Sequence, residues 1–258
     1  MNRLTNRLWL AVLSIASVAV VFGMMMPAVS AVAATSAANS PFCTTLATTT
    51  GKVTTSITSL TTKLDAARTT EDQKVASDRS KWAADIQTAR DKADQQRQAD
   101  YTKLMAKATT DSEKAAVTTY EAAITNAVTA RRTANDSARK TFQDGVDAAR
   151  AARRSTVDSQ VTTFSDSVNS AVSTAQAACA ADSSIGGGPA IRTAFVASLK
   201  SARTTFQDAR KDDDKIADQV KQLAATRDAA IKANNATFDA ATKAARQALQ
   251  SAFGKTSV

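Results

Sequence analysis

Apolar side chains recur at every eleventh position along most of the chain, with polar and charged positions between them. In the first half, Val53, Leu64, Val75 and Ile86 form one row, and Leu60 starts a neighbouring row. This period corresponds to three helical turns at about 3.67 residues per turn, so each row stays on one side of an α-helix. The pattern predicts long, nearly straight helices with a slight right-handed supercoil.

The second half of the chain follows the same period more regularly. One row there contains Ile124, Asn135, Val146, Val157, Val168 and Cys179, and another places the aromatic residues Tyr120, Phe142 and Phe164 two periods apart. Aromatic side chains at helical spacing favour a buried seam over a stacking surface for nucleic-acid bases. A looser apolar stripe runs from Ile191 to Leu249 and predicts a third helix with weaker packing.

Glycine and proline divide the chain into three long segments. Neither residue occurs between Gly51 and Gly145, and the next proline after Pro41 is Pro189, which follows three glycines. Ser40 before Pro41 is typical of a helix N-cap with proline at the first helical position.

Two tetrapeptides have the spacing of a capping box. Thr110–Glu113 predicts a helix start and therefore a tight turn at about residues 107–111. Thr70–Gln73 has the same spacing and would split the first helix. The row of Val53 and Ile86 continues through position 70 without a change of phase, which favours one uninterrupted helix.

The sequence therefore predicts an all-α fold, an elongated antiparallel bundle of three long helices. The expected boundaries are a leader at 1–34, a short linker at 35–41, a helical hairpin at 42–181, a glycine-rich loop at 182–189, a third helix at 190–253 and a frayed tail at 254–258.

The first 34 positions have the organisation of an export signal. Arg3 and Arg7 precede an apolar run from Leu8 to Met26, and the small-residue stretch Ala31–Ala33 is typical of a cleavage site. We expect the mature chain to begin near residue 34 or 35 and to be secreted or extracytoplasmic. The alternative is an uncleaved membrane anchor, because the apolar run approaches the length that spans a bilayer.

Export determines how the two cysteines are interpreted. In an oxidising compartment an even number of cysteines predicts a disulfide, here Cys43 with Cys179, and the alternative is two buried free thiols. If this bond closes an antiparallel hairpin, the numbers of facing residues add to about 222 and the chain folds back near residue 111. The expected contacts are Tyr101 with Tyr120, Trp82 with Phe142, Leu60 with Phe164, Val75 with Val146, and Leu104 with Val117.

Composition excludes several kinds of chemistry. The chain has 56 Ala, 35 Thr and no His, and only 5% of its residues are aromatic. Ser-His-Asp or Cys-His nucleophiles, histidine metal sites and histidine pH switches are therefore excluded. A thin bundle with methyl-sized side chains offers little concavity, so we expect no enzyme activity, no cofactor and no small-molecule substrate.

The charged residues provide the remaining candidates for a site. The net charge is +9, and without the two leader arginines 31 basic residues stand against 24 acidic ones, a net +7. Arg131, Arg150, Arg153 and Arg154, at or beside the predicted seam, are the candidates for contact with an anion or a partner. The register also places acidic neighbours for three of them on adjacent helices: Asp91 for Arg131, Asp72 for Arg150 and Asp218 for Arg153.

A run of three aspartates, 212–214, between Lys211 and Lys215 is a candidate for binding a divalent cation. Adjacent helix positions point around the cylinder and do not converge on one ion, so a solvated charge run is the expected interpretation.

These features predict an exported structural or interaction protein at or outside the cell envelope, with an unidentified protein or envelope partner or with self-association. One alternative is reversible binding to a lipid surface, because the 11- and 22-residue amphipathic periodicity resembles that of exchangeable apolipoproteins. The other alternative is an anionic-polymer binding module that uses the arginines of the second helix.

Overall fold

The computed structural model describes residues 40–181, 187–211 and 215–254. They form four helices: α1 (Pro41–Lys107), α2 (Asp111–Ala181), α3 (Gly187–Lys211) and α4 (Lys215–Ala252), with 67, 71, 25 and 38 residues. No strand occurs in these ranges. The predicted all-α class is confirmed, whereas the predicted leader, the aspartates at 212–214 and the last four positions lie outside the described residues.

Helix α1 begins where its sequence provides a cap. The backbone amide of Cys43 donates a hydrogen bond to the Ser40 hydroxyl oxygen at 3.2 Å, which satisfies one of the amides left unpaired at a helix start. Pro41 occupies the first helical position, where its missing amide costs nothing. The helix then continues through Thr70, whose hydroxyl donates to the carbonyl of Ala66 at 2.9 Å. The second capping-box tetrapeptide therefore does not interrupt α1.

The turn between α1 and α2 is held by a capping box. The amide of Glu113 donates to the Thr110 hydroxyl at 3.2 Å, and the amide of Thr110 donates back to the Glu113 carboxylate at 2.9 Å. The amide and the hydroxyl of Thr109 donate to the same carboxylate oxygen. One acidic side chain thus organises the residues that reverse the chain.

Helix α3 begins at Gly187, one turn before the start expected from the sequence. Gly188 is buried, and a Cβ there would collide with the Cβ and hydroxyl oxygen of Ser40. Glycine therefore lets the start of α3 lie directly against the start of α1. The segment predicted as one third helix is described as α3 and α4, on either side of residues 212–214.

The chain divides into two compact units. Unit 1 combines the described residues up to Lys74 with Ala152–Ala217, and unit 2 combines Val75–Ala151 with the residues from Asp218 onward. Unit 1 thus contains the first part of α1, the last part of α2 and α3. Unit 2 contains the remaining parts of α1 and α2 together with almost all of α4.

The core of unit 1 combines a few large side chains with small ones. Leu46, Val172, Ala175 and Phe195 form one buried cluster, which also includes Cys179. A second cluster contains Val53, Val168 and Ala202, with Ile57, Phe164 and Leu199 packed against it. Two aromatic pairs bridge the helices, Phe42 with Phe195 at 5.8 Å and Phe164 with Phe206 at 5.4 Å between ring centroids. The helices of unit 1 therefore meet around aromatic side chains that the small residues leave room for.

The core of unit 2 is assembled from all three of its helices. Tyr101, Ile124 and Val128 are buried together, and Phe238 of α4 packs against them. The predicted contact of Tyr101 with Tyr120 is confirmed, with the rings edge to face at 6.1 Å between centroids. A polar contact also crosses this seam, since the side-chain amide of Asn234 donates to the Asn135 side-chain oxygen at 3.0 Å.

Gly145 marks a close approach within unit 2. A Cβ at this position would lie 2.7 Å from Cδ2 of Leu223, so the Leu223 side chain of α4 occupies the space that any larger residue would need. Gly51 of α1 differs, since a Cβ there would meet nothing within 4 Å.

These two glycines make opposite predictions. Gly51→Ala should raise the free energy of unfolding by about 0.5–1 kcal/mol, because alanine has the higher helix propensity. Gly145→Ala should lower it by roughly 1 kcal/mol or more, because Leu223 must move. In the Leu223→Ala background, Gly145→Ala should become stabilising. Urea denaturation of the parent and these variants measures the cycle, and an equal gain from both glycine substitutions would contradict the packing.

The turn predicts a pH-dependent contribution from Glu113. Hydrogen bonds from the amides of Thr110 and Thr109 and from the Thr109 hydroxyl hold the pKa of Glu113 below its ordinary value. A depressed folded-state pKa stabilises the fold above the unfolded-state pKa, and this stabilisation is lost as the pH falls through the folded-state pKa. Glu113→Gln should therefore be less stable than the parent at pH about 7, with a smaller difference at pH about 3. Denaturation curves at both pH values test this, and an unchanged difference would contradict it.

Candidate functional site: the cysteine pair and the paired arginines

The two cysteines lie together in unit 1. The sulfur atoms of Cys43 on α1 and Cys179 on α2 are at disulfide-bonding distance, with Cα atoms 5.7 Å apart and a sequence separation of 136. Cys179 belongs to the buried cluster around Phe195, and Cys43 packs against that cluster. The predicted pairing is therefore present, and it joins the first turn of α1 to the last turn of α2.

Arginine–aspartate pairs connect α1 to α2 in both units, and we call these five pairs the ion-pair ladder. Unit 1 contains Arg68–Asp158 and Asp72–Arg154, and unit 2 contains Arg79–Asp147, Arg90–Asp136 and Asp94–Arg132, with shortest N–O distances of 2.6–2.8 Å. In three of the five, two guanidinium nitrogens each donate to a different oxygen of one carboxylate. Such two-point pairs fix orientation as well as distance.

The residue numbers in every pair of the ladder add to the same value, four more than the sum for the two cysteines. Side chains on a helix lean toward its N-terminus, and α1 and α2 run in opposite directions. Each long side chain therefore reaches back to the level of a residue about two positions earlier on its own helix. Two such side chains meet when their residue numbers add to about four more than those of two residues whose backbones lie at the same level. This lean explains why the sequence-based partners were displaced by about one turn.

Arg154 and Arg131 are each held by another side chain of this protein. Arg154 pairs with Asp72, the partner expected for Arg150, and this hydrogen bond raises the pKa of Arg154. Arg131 does not pair with Asp91 as expected. Its guanidinium carbon lies 3.8 Å from the centroid of the Phe238 ring, and burial, followed by repulsion from Arg132, lowers its pKa.

The other two candidate arginines are partly buried. Nη1 of Arg150 lies 3.8 Å from Oδ1 of Asp147, one turn earlier on the same helix, and 12% of the Arg150 side chain is exposed. Arg153 forms no ion pair with a residue in the described ranges, and its expected partner Asp218 belongs to the other unit. Within each unit, the candidate arginines thus do not converge on one anion site in the part of the chain that the structure describes.

Two aromatic residues expected to face each other are stacked with arginines in unit 2. The guanidinium carbon of Arg139 lies 5.1 Å from the ring centroid of Trp82, and that of Arg227 lies 4.5 Å from the ring centroid of Phe142. Each arginine covers an aromatic face with its guanidinium, and 24% of the Arg139 side chain and 16% of the Arg227 side chain are exposed. These contacts use the arginines to close the seam of unit 2.

Sequence reasoning missed the ladder, although the signal was present. Arg68, Arg79 and Arg90 recur at every eleventh position on α1, and Asp136, Asp147 and Asp158 recur at the same spacing on α2. The period that identified the apolar rows also identifies charged rows beside them. Complementary charges at a shared period on two predicted helices would have indicated the pairs.

Within residues 40–181, 187–211 and 215–254, no group of three or more Cys, Asp or Glu side chains is arranged to hold a metal ion. None of the described helices combines the length and the hydropathy that crossing a bilayer requires. Comparisons with protein-family models, with curated proteins and with solved structures find no match to this chain. The proposals below therefore depend on the residues of the chain itself.

The cysteine pair predicts a large effect of reduction. Opening a crosslink across this sequence separation should lower the free energy of unfolding by about 4–5 kcal/mol, because the unfolded chain regains the entropy that the bond removes. Urea denaturation with and without a reductant measures the loss. The variant with Cys43→Ser and Cys179→Ser is the control, and it should not respond to the reductant. Identical curves for the parent protein in both conditions would contradict the bond.

Proposed function

We propose that this chain is an exported, non-enzymatic structural or interaction protein whose helical bundle acts at or outside the cell envelope. The observation that carries the proposal is the pairing of Cys43 with Cys179 in a chain whose first residues have the pattern of an export signal. Structural disulfides persist in oxidising compartments and are rare in the cytosol of most organisms. The cysteine pair and the leader therefore support the same location by independent reasoning.

The distribution of side chains supports a structural or interaction role. Within each unit, the large apolar residues and most of the arginines near the seam are used to join helices. The outward-facing positions of α1 and α2 are mainly small, polar or charged residues. Long helices of this kind present extended faces that a partner contacts along their length.

The two alternatives are less well supported by the contacts. Reversible spreading on lipid requires the helices to separate, and the bond between Cys43 and Cys179 opposes this at one end of unit 1. Binding of an anionic polymer by the arginines of α2 requires Arg154 to leave Asp72 and Arg131 to leave Phe238. Both are weaker proposals than a folded bundle that binds through its outer faces.

Export is tested in the cell that produces the protein. We expect the protein in the extracytoplasmic fraction, with an N-terminus near residue 34 or 35 and an intact mass that shows no thiol alkylation before reduction. The control is the double variant Arg3→Glu and Arg7→Glu, which should remain in the cytoplasm because it lacks the positive leader. Cytoplasmic parent protein with two alkylatable thiols would contradict the proposal.

The interaction role is tested by photocrosslinking in the same cells. A photoreactive amino acid at exposed Thr58 should give adducts with an envelope component or with a second copy of the chain, whereas the same group at buried Val53 should give none. Adducts from neither position nor from other exposed positions of α1 and α2 would contradict an interaction role.

A further inference from the structure

Unit 1 has an uneven distribution of charge. The first part of α1, from Pro41 to Leu64, contains Lys52 and Lys63 and no acidic residue. The first part of α3, from Gly187 to Gln207, contains Arg192, Lys200 and Arg203 and again no acidic residue. By contrast, the end of α2, from 159 to 181, contains no basic residue and one acidic residue, Asp166. In these stretches of unit 1, basic residues therefore occur on α1 and α3 and not on α2.

Contacts of α3 with α2 show where the arginines of α3 lie. The Gln160 side chain of α2 donates to the carbonyl of Ala209 at 3.0 Å, so the side of α3 that carries Ala209 faces α2. Phe206 packs against Phe164 of α2, and buried Ala202 shares a cluster with Val53 of α1. At about 100° per residue, Ala209 lies about 60° to one side of Phe206, and Arg203 lies about 60° to the other. Arg203, and with it Arg192 three turns earlier, therefore lies on the side next to α1.

The ion pairs of α1 place its lysines in the same way. Leu64 continues the row of buried Val53, while Arg68 and Asp72 pair with α2. Relative to Leu64, Asp72 lies about 80° to the α2 side and Lys63 about 100° to the opposite side. Lys52 shares this row with Lys63, three turns earlier. Both lysines thus lie on the side of α1 next to α3.

The packing of the core brings three of these cations, Lys52, Lys200 and Arg203, to one level. Val53 of α1 is buried against Ala202 of α3, with Leu199 packed beside them. Lys52 is adjacent to Val53 in sequence, and Lys200 and Arg203 are adjacent to Leu199 and Ala202. The exposed side of α1 and α3 therefore carries these cations, with Arg192 and Lys63 about two to three turns to either side of the other three. We call this surface the basic face; it consists of Lys52, Lys63, Arg192, Lys200 and Arg203.

The basic face differs from the ion-pair ladder in two respects. Lys52, Lys63, Lys200 and Arg203 are exposed and form no ion pair with residues that the structure describes, whereas the arginines of the ladder are paired. The face also contains Val196, which lies one turn before Lys200 and is 38% exposed. Solvent-accessible positive charge thus surrounds an exposed apolar side chain.

We infer that the basic face docks unit 1 onto an anionic phospholipid surface, and this inference rests on the export proposed above. Lysine and arginine near a membrane are attracted to anionic headgroups, and an apolar side chain among them enters the interface. The apolar run of the leader ends at Met26, and α1 begins at Pro41. About 15 residues span at most about 50 Å, so the start of α1 stays within about 50 Å of the bilayer until the leader is cleaved.

The aromatic residues of unit 1 favour lipid over single-stranded nucleic acid as the occupant. Proteins that bind single strands offer aromatic side chains on which bases stack. The four phenylalanines described in unit 1 instead pack against one another within its core, Phe42 with Phe195 and Phe164 with Phe206. Headgroup attraction needs no such side chains.

The test compares two charge-matched variants of the full chain, recovered as the producing cell exports it. The first combines Lys52→Gln, Lys200→Gln and Arg203→Gln on the basic face. The second combines Lys81→Gln, Lys92→Gln and Lys232→Gln, which are exposed cations of unit 2. Co-sedimentation measures binding to vesicles of equal parts phosphatidylglycerol and phosphatidylcholine, with phosphatidylcholine vesicles as the neutral comparison.

We expect the parent and the unit 2 variant to bind the anionic vesicles alike, and the basic-face variant to bind about 100-fold more weakly. Binding of the parent should also be lost between about 50 mM and about 500 mM salt. Circular dichroism and an unreduced intact mass verify that each variant is folded and crosslinked.

Equal binding by the two variants, or parent binding that does not require anionic lipid, would overturn the docking inference. Retention on DNA or heparin resin without vesicle binding would also overturn it and would assign the face to a polyanion. None of these results would change the fractionation result that tests export, so failure of one proposal is distinguishable from failure of the other.

Discussion

The antiparallel register of α1 on α2 is the constraint on which the other contacts depend. Because the apolar rows repeat at every eleventh position, a slip by one such period would match apolar positions again along much of the hairpin. The capping box at Thr110 and the cysteine pair remove this degeneracy, one at each end of the pairing. The ion-pair ladder adds two-point contacts between those ends, and the polar Asn135–Asn234 contact specifies how α4 meets α2.

The many small side chains explain why polar contacts are needed to specify the register. Ala and Thr remove little apolar area from water, so packing alone distinguishes weakly between one register and another. Many of the threonine hydroxyls donate to the carbonyl one turn earlier, as Thr45 does to Pro41 at 2.7 Å, which satisfies them within their own helix. Specific contacts across the seam are therefore left to the few large or charged residues.

The sequence was most informative where one residue type has one structural use. Ser40 and Thr110 located helix starts because an N-cap needs a side-chain acceptor, Glu113 completed the capping box, and two cysteines allow one pairing. The aromatic contact of Tyr101 with Tyr120 followed from the same register.

The partners of the arginines were less predictable. A register that matches backbone levels predicts that Asp72 pairs with Arg150. Because the side chains lean toward the N-termini of their helices, Asp72 instead pairs with Arg154, one turn further along α2. The contact of Arg131 with Phe238 depends on where α4 packs. No cysteine or turn motif in the sequence predicts that position.

The same reasoning separates the charged residues by what a ligand would have to displace. An anion that bound Arg154 would compete with the Asp72 carboxylate, which already accepts two hydrogen bonds from that guanidinium. An anion at Lys52, Lys200 or Arg203 would displace only solvent among the described residues. Binding free energy is reduced by any contact that must first be broken, so charge held in the ladder contributes to folding and charge on the basic face is available for recognition.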